Sequence, residues 1–233
     1  MKKDIYFLGD IHGEFEIIFK WLVKYNIENS VIIQVGDFGR GFRDDEDHLL
    51  NQLSDRLKER NCHLYIIRGN HDNPEFFKGK KEHNYSNVIL LKDYTILEIE
   101  GLNFLFVGGA ISIDRKQRTL GSSYWKKEIF NLDIKKLEFI KNLDIVVTHT
   151  TPSFAYPTLW SEIVYNFADR DPGLYQELPN ERKMLDEMHN ILIKNNKIKK
   201  WYYGHFHSSK TEIHNEIEFI LLGVNEFKLM SNE

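Results

Sequence analysis

The sequence predicts an α/β protein, and three observations carry that prediction. Short apolar runs alternate with stretches of helical periodicity from residue 4 to residue 67. Five apolar runs end in small or metal-friendly residues, a pattern of buried strands opening into loops. From residue 88 onward the runs shorten and a Glu100-Gly101 turn separates two of them, which adds antiparallel pairing to a parallel start.

The first strand is Ile5-Tyr6-Phe7-Leu8, and Phe15, Ile17, Ile18, Trp21, Leu22 and Tyr25 then recur at helical spacing. A strand over residues 31–35 follows. Asp44-Asp45-Glu46-Asp47 precede Leu49, Leu50, Leu53 and Leu57, and Lys58 and Arg60 come after. Acids at the start and bases at the end suit a helix dipole, so the four acids read as a helix start rather than a metal loop. Residues 63–67 make a third strand, and this β-α-β-α-β series implies parallel pairing with right-handed crossovers. Lys78-Gly79-Lys80-Lys81 reads as a solvated loop, and residues 88–107 as a hairpin.

A Gly108-Gly109-Ala110 loop leads to Ser112, Asp114 and Arg115, with no Gly-Lys-Ser/Thr to make it a nucleotide loop. A helix over 133–141, a strand over 145–147, a helix after Pro179-Asn180, a strand over 201–203 and a hairpin over 211–222 complete the chain. The stretch 150–178, rich in aromatics and prolines, is the least regular. It is either a lid-like functional insertion or a loop that its aromatics pack down.

At 233 residues the chain suits a single domain, 1–233, with an ample core. No segment approaches the roughly 18 consecutive apolar residues of a membrane helix, and the single Cys62 excludes an internal disulfide; both predict a cytoplasmic protein. A net charge of −4 argues against a broad nucleic-acid-binding face, although bound dications would make a site electropositive locally. The oligomeric state is not readable from the sequence.

The strand ends carry the chemistry. Asp10 and His12 are two apart on extended chain and share a face. Gly36-Asp37, Gly69-Asn70-His71-Asp72, Thr148-His149 and Gly204-His205-Phe206-His207 close four further runs. Carboxylate and amide oxygens with neutral imidazoles form a donor set for divalent Mn, Fe or Zn, with Mn favoured. Asp10, His12, Asp37, Asn70, His149, His205 and His207 exceed what one ion takes while leaving room for water, so two ions are expected.

The ordered series Asp-x-His, Gly-Asp, Gly-Asn-His-Asp, His-x-x-Pro (His149 to Pro152) and Gly-His-x-His resembles the calcineurin-like metallophosphoesterase superfamily from about residue 4 to residue 222. The resemblance implies a four-layer sandwich of two mixed sheets with helices on both outer faces. It implies that Asp10, His12 and His207 hold one ion, that Asn70, His149 and His205 hold the other, and that Asp37 bridges them. A bridging hydroxide would attack phosphorus, with His71 acting on the leaving group or steadying the transition state. The sequence departs from the protein Ser/Thr phosphatase branch, because Gly36-Asp37-Phe38-Gly39-Arg40-Gly41 lacks that branch's second Asp; its role is unfilled or falls to Asp72. Arg40, Arg68 and Arg115 are candidates for clamping the phosphate, since a guanidinium binds two oxygens at once, and the alternative for each is an ordinary surface charge.

The implied activity is hydrolysis of a phosphorylated substrate. A phosphomonoester is favoured; the alternatives are a phosphodiesterase, a nuclease or a nucleotide pyrophosphatase. A noncatalytic metal-binding scaffold is the reading from another class, disfavoured because no ligand position and no catalytic histidine is missing.

Overall fold

The computed structural model describes residues 2–79 and 85–231. In chain order the strands and helices are β1 (Asp4–Leu8), α1 (Glu16–Lys24), β2 (Ser30–Gln34), α2 (Glu46–Glu59), β3 (His63–Ile66), β4 (Val88–Leu90), β5 (Thr95–Ile99), β6 (Leu102–Val107), α3 (Ile134–Leu137), β7 (Ile145–Thr148), α4 (Glu162–Ala168), α5 (Leu174–Asn195), β8 (Lys200–Tyr203), β9 (Lys210–His214), β10 (Ile217–Leu221) and β11 (Phe227–Leu229).

They form two mixed sheets, β11-β1-β2-β3-β4 and β5-β6-β7-β8-β10-β9. Strands β1 to β4 are parallel with β11 antiparallel at the edge. In the second sheet β6, β7, β8 and β10 are parallel, and β5 and β9 flank them antiparallel.

Period-two alternation sorts the side chains into layers. Ile5 and Phe7, Val31 and Ile33, Phe104 and Phe106, Ile145 and Val147, Tyr202 and Ile220 pack in one cluster between the sheets. The Phe7 and Tyr202 rings meet there, stacked 3.4 Å apart. Their neighbours point outward. Leu8 and Ile32 join Ile18, Leu22, Leu50, Leu53 and Leu57 of α1 and α2, whereas Leu105, Val146, Trp201 and Tyr203 join Leu185, Met188 and Leu192 of α5. Helix, sheet, sheet, helix is the expected four-layer sandwich.

Four local expectations need correction. Val88–Leu90 leaves the expected hairpin and pairs parallel with β3 in the first sheet; the hairpin proper is β5–β6. The helix expected over 133–141 lasts only from Ile134 to Leu137, because the Ile140 amide bonds back to the Leu137 carbonyl and tightens the last turn. Helix α5 starts before Pro179 and runs through it, so one backbone bond is lost while Leu174, Leu178, Leu185, Met188 and Leu192 are buried. Strand β11 lies beyond the expected closing hairpin and returns to β1, with Phe227 stacked on Tyr6 and Trp21.

Within 150–178, Ser161 caps α4, and Trp160 stacks on Tyr165 and Tyr175 at 5.2 and 5.3 Å. These aromatics pack on one another. Lys78 ends a 3-10 turn over Pro74–Lys78 and pairs with Glu75; Lys80 and Lys81 lie outside the described residues. Among the described residues no helix is long and apolar enough to cross a membrane.

Candidate metal centre

The ends of β1, β2, β3, β7 and β8 bring the sequence-predicted ligands together. Two donor groups form, Asp10 with His12, Asp37 and His207, and Asp37 with His149 and His205, and Asp37 belongs to both. Asn70 joins the second, its Oδ1 3.0 Å from His149 Nε2.

The loops that carry these residues are bent into unusual backbone. His12, Asp37, His205 and His207 all have positive φ, between 45° and 72°. Non-glycine residues held there cost roughly 1–3 kcal/mol each and persist only where the surroundings fix them. The surroundings do. Buried Gln34 donates to the carbonyls of Gly9 and Gly36 and accepts from the Gly36 amide, stitching the first two strand ends together. The Asp10 carboxylate accepts from the His205 amide at 3.2 and 3.1 Å, and Asp37 Oδ1 accepts from the His71 amide at 2.7 Å. Each motif's glycine leaves room for another motif's ligand. A Cβ on Gly36 would land on the His149 ring, one on Gly69 on the Asp37 carboxylate, and one on Gly204 on Asp10.

The donor atoms face one another in a way that calls for a cation. His149 Nδ1–H donates to the Val35 carbonyl at 2.8 Å, so a neutral His149 turns its Nε2 lone pair towards Asp37 Oδ1 at 3.1 Å and Asn70 Oδ1 at 3.0 Å. Lone pairs converging on one point repel unless a proton or a metal ion lies among them. His12 Nε2 and His207 Nε2 stand 3.0 Å apart, with Asp10 Oδ2 3.5 Å from His207. Oxygen and imidazole donors of this kind fit divalent transition metals.

Metal-free electrostatics show the same tension. Burial, reinforced by Asp37, pushes Asp10 up to about 8 despite His149. Burial would raise Asp37 too, but His149, His71 and His12 hold it well below the carboxylate range. Burial disfavours a charged His149, yet Asp37 and Asp10 lift it to about 9. His205 is held well below the usual imidazole range by burial and by His149, and burial also lowers His71 and His207.

The other predicted residues are placed differently. Asp72 Oδ1 accepts from the amides of Gly39 and Arg40, both at 2.8 Å, and its Oδ2 from Phe38 at 3.2 Å and Gly69 at 2.7 Å. Its four bonds go to backbone, so it positions the ligand-bearing loops rather than orienting His71. The arginines are bound by the protein itself. Arg40 is buried against Glu46 and Asp47, and Arg68 holds Asp93 and the carbonyls of Lys127, Glu128 and Ile129. Arg115 pairs with Asp171 and Glu177. Carboxylates occupy the fork geometry that a phosphate would need, which corrects their assignment as phosphate clamps.

Three residues outside the motifs also support the centre. Asn70 Nδ2 donates to Ser112 Oγ at 2.9 Å, which turns Oδ1 towards His149. Ser112 donates in turn to buried Glu128, and Arg118 donates to the Asn70 carbonyl at 3.0 Å. Ser112 follows the Gly108-Gly109 loop, the one sequence signal that pointed near it.

The family model described as calcineurin-like phosphoesterase matches residues 3–209. The chain belongs to this family. It is a metallophosphoesterase, a phosphoric ester hydrolase. No curated protein matches this calcineurin-like phosphoesterase in sequence. Its fold is similar to that of a dimetal phosphatase from Danio rerio, with a TM-score of 0.53 and 10% identity over 95% of this chain and 87% of that one. It is also similar to a phosphopantetheinyl hydrolase from Mycobacterium tuberculosis, with a TM-score of 0.51 and 12% identity over 100% and 97%. A putative 5′-nucleotidase from Staphylococcus aureus gives 0.50 and 12%, over 98% of this chain and 52% of that one.

Proposed function

We propose that this chain hydrolyses phosphomonoesters at a centre of two divalent ions, Mn favoured, in which Asp37 is the shared ligand. The observation that carries it is the meeting of the two donor groups at Asp37. When bound, such ions supply an acidified water and charge stabilisation for the phosphoryl oxygens. Asp10, His12 and His207 would hold one ion, and Asn70, His149 and His205 the other.

The chain's own residues do the rest. The Val35 carbonyl fixes the His149 tautomer, Ser112 fixes the Asn70 amide, and the His71 amide fixes the Asp37 carboxylate. The His71 ring lies beside that of His12, 5.0 Å between centroids, and stands outside both donor groups. There it can pass a proton to the leaving oxygen, a contribution of about 10²–10⁴-fold. Only two of the seven proposed ligands are carboxylates, so two dications with a bound hydroxide would leave one positive charge uncompensated, which draws an anionic phosphate ester into the centre.

The test is hydrolysis of a paired chromogenic monoester and diester by metal-stripped protein resupplied with Mn²⁺, beside His71→Ala. Metal-dependent turnover that falls with the substitution and favours the monoester is the expected result. A diester preference would move the function to phosphodiester cleavage, and absence of metal binding would overturn the reading.

A further inference from the structure

A run of rings leads out of the metal centre. The His207 and His12 centroids are 5.0 Å apart, His12 and His71 5.0 Å, His71 and Phe42 6.1 Å, and Phe42 and Trp125 5.1 Å. Phe42 is nearly parallel to His71, at 24°, whereas Trp125 meets Phe42 edge-on, at 83°. The imidazoles are accounted for by the reaction. The last two rings are not.

Phe42 is 40% exposed. Exposed apolar side chains are common when scattered, so exposure alone decides nothing. What distinguishes Phe42 is that its backbone is fixed. The buried Glu46 carboxylate accepts from the amides of Gly41, Phe42 and Arg43, at 2.8, 2.6 and 2.7 Å. Asp72 fixes the preceding residues through the amides of Phe38, Gly39 and Arg40. Trp125 is likewise held, its amide donating to Glu128 at 3.1 Å, and Glu128 is fully buried with Ser112 and Arg118. Two buried carboxylates thus hold the backbone of Phe42 beside His71, where a leaving group would depart, and that of Trp125 against Phe42.

We propose that Phe42 and Trp125 form a leaving-group subsite that selects esters with a planar aromatic ring in the alcohol, a phenol or a nucleoside base being the two sources of that chemistry. This rests on the phosphomonoesterase reading. Phe42 is 40% exposed beside His71, and an aromatic ring in the alcohol would meet its free surface offset-stacked or edge-on, the two geometries aromatic groups prefer over a face-to-face sandwich. An aliphatic alcohol of equal size would cover the same ring without those contacts.

Benzyl phosphate and cyclohexylmethyl phosphate test this, since both release an alkoxide and differ in the ring. The wild type should prefer the benzyl ester in kcat/KM, and Phe42→Ala and Trp125→Ala should each shrink that ratio by roughly 2- to 12-fold, the worth of an aromatic pair. Phe42→Leu, which keeps apolar bulk, should shrink it as well and guards against misfolding as the cause. Free phosphotyrosine and adenosine 5′-monophosphate, compared in the same variants, tell which source the subsite takes. An unchanged ratio in all three variants, with both esters turned over, would overturn the subsite and leave the phosphoesterase standing. Failure to hydrolyse either ester, with metal bound, would overturn both.

Discussion

His149 Nε2 lies 3.1 Å from Asp37 Oδ1, while His12 Nε2 lies 3.9 Å from Asp37 Oδ2, so one carboxylate spans both donor groups. Removing it should empty both sites, whereas removing a ligand of one group should spare the other. Asp37→Ala is therefore expected to bind almost no Mn²⁺ after dialysis and His12→Ala about one ion, against about two for the wild type. Elemental analysis of the dialysed proteins reads this directly. Equal losses in the two variants would count against Asp37 as the shared ligand.

Gly204 is packed so closely that a methyl group would strike the Asp10 carboxylate, whereas Gly101, with φ 81°, has open space around it. Gly204→Ala should displace Asp10 and weaken metal binding. Gly101→Ala should cost only the strain of left-handed backbone, about 1 kcal/mol, with metal content intact. Thermal melts and metal analysis of the pair separate collision from strain.

Asp72 accepts from four backbone amides. Asp72→Asn puts an N–H where an acceptor is needed and should destabilise the fold by about 1–3 kcal/mol. Because the carboxylate positions loops and does not contact His71, the kcat–pH profile should fall in height without shifting along the pH axis. A shifted profile would return Asp72 to the role of orienting the catalytic histidine.

Glu181 is fully buried in α5, and burial pushes its carboxyl up to about 7 from 4.5. A folded pKa above the unfolded one means the protonated form is favoured in the fold. Its stabilising contribution is complete below about 4.5 and is lost as pH rises through about 7. The difference is about 3 kcal/mol. Glu181→Gln should accordingly show a smaller drop in melting temperature between pH 5 and pH 8 than the wild type. An identical drop in both would remove Glu181 as its source.

The ligand residues were legible because each chemical demand fell on a short stretch of chain. A strand must end and the Asp, Asn or His must come next, after a glycine at four of the five ends and after Thr148 at the other, so seven candidate ligands could be named from five strand ends. Asp72 and the three arginines carried no such constraint. Their residue types suit both catalysis and structure, and only the partners found in space, four backbone amides in one case and carboxylates in the others, separate the two roles. Ser112 followed the Gly108-Gly109 loop without a ligand motif, and Glu128 lay outside every motif. Phe42, between Gly41 and Arg43, carried no motif of its own.

The sequence by itself determined the alternation of elements, the inward and outward faces of the strands and the donor chemistry of the centre, because these depend on periodicity and side-chain type over a few residues. The tertiary structure alone decided what depends on contacts between distant segments. It moved Val88–Leu90 and Phe227–Leu229 into the first sheet, carried α5 through Pro179, neutralised Arg68 and Arg115 with carboxylates 25 to 62 residues away, and set Trp125 against Phe42 beside His71. Long-range pairing energies exceed local propensities at such positions, and no short window of sequence contains them.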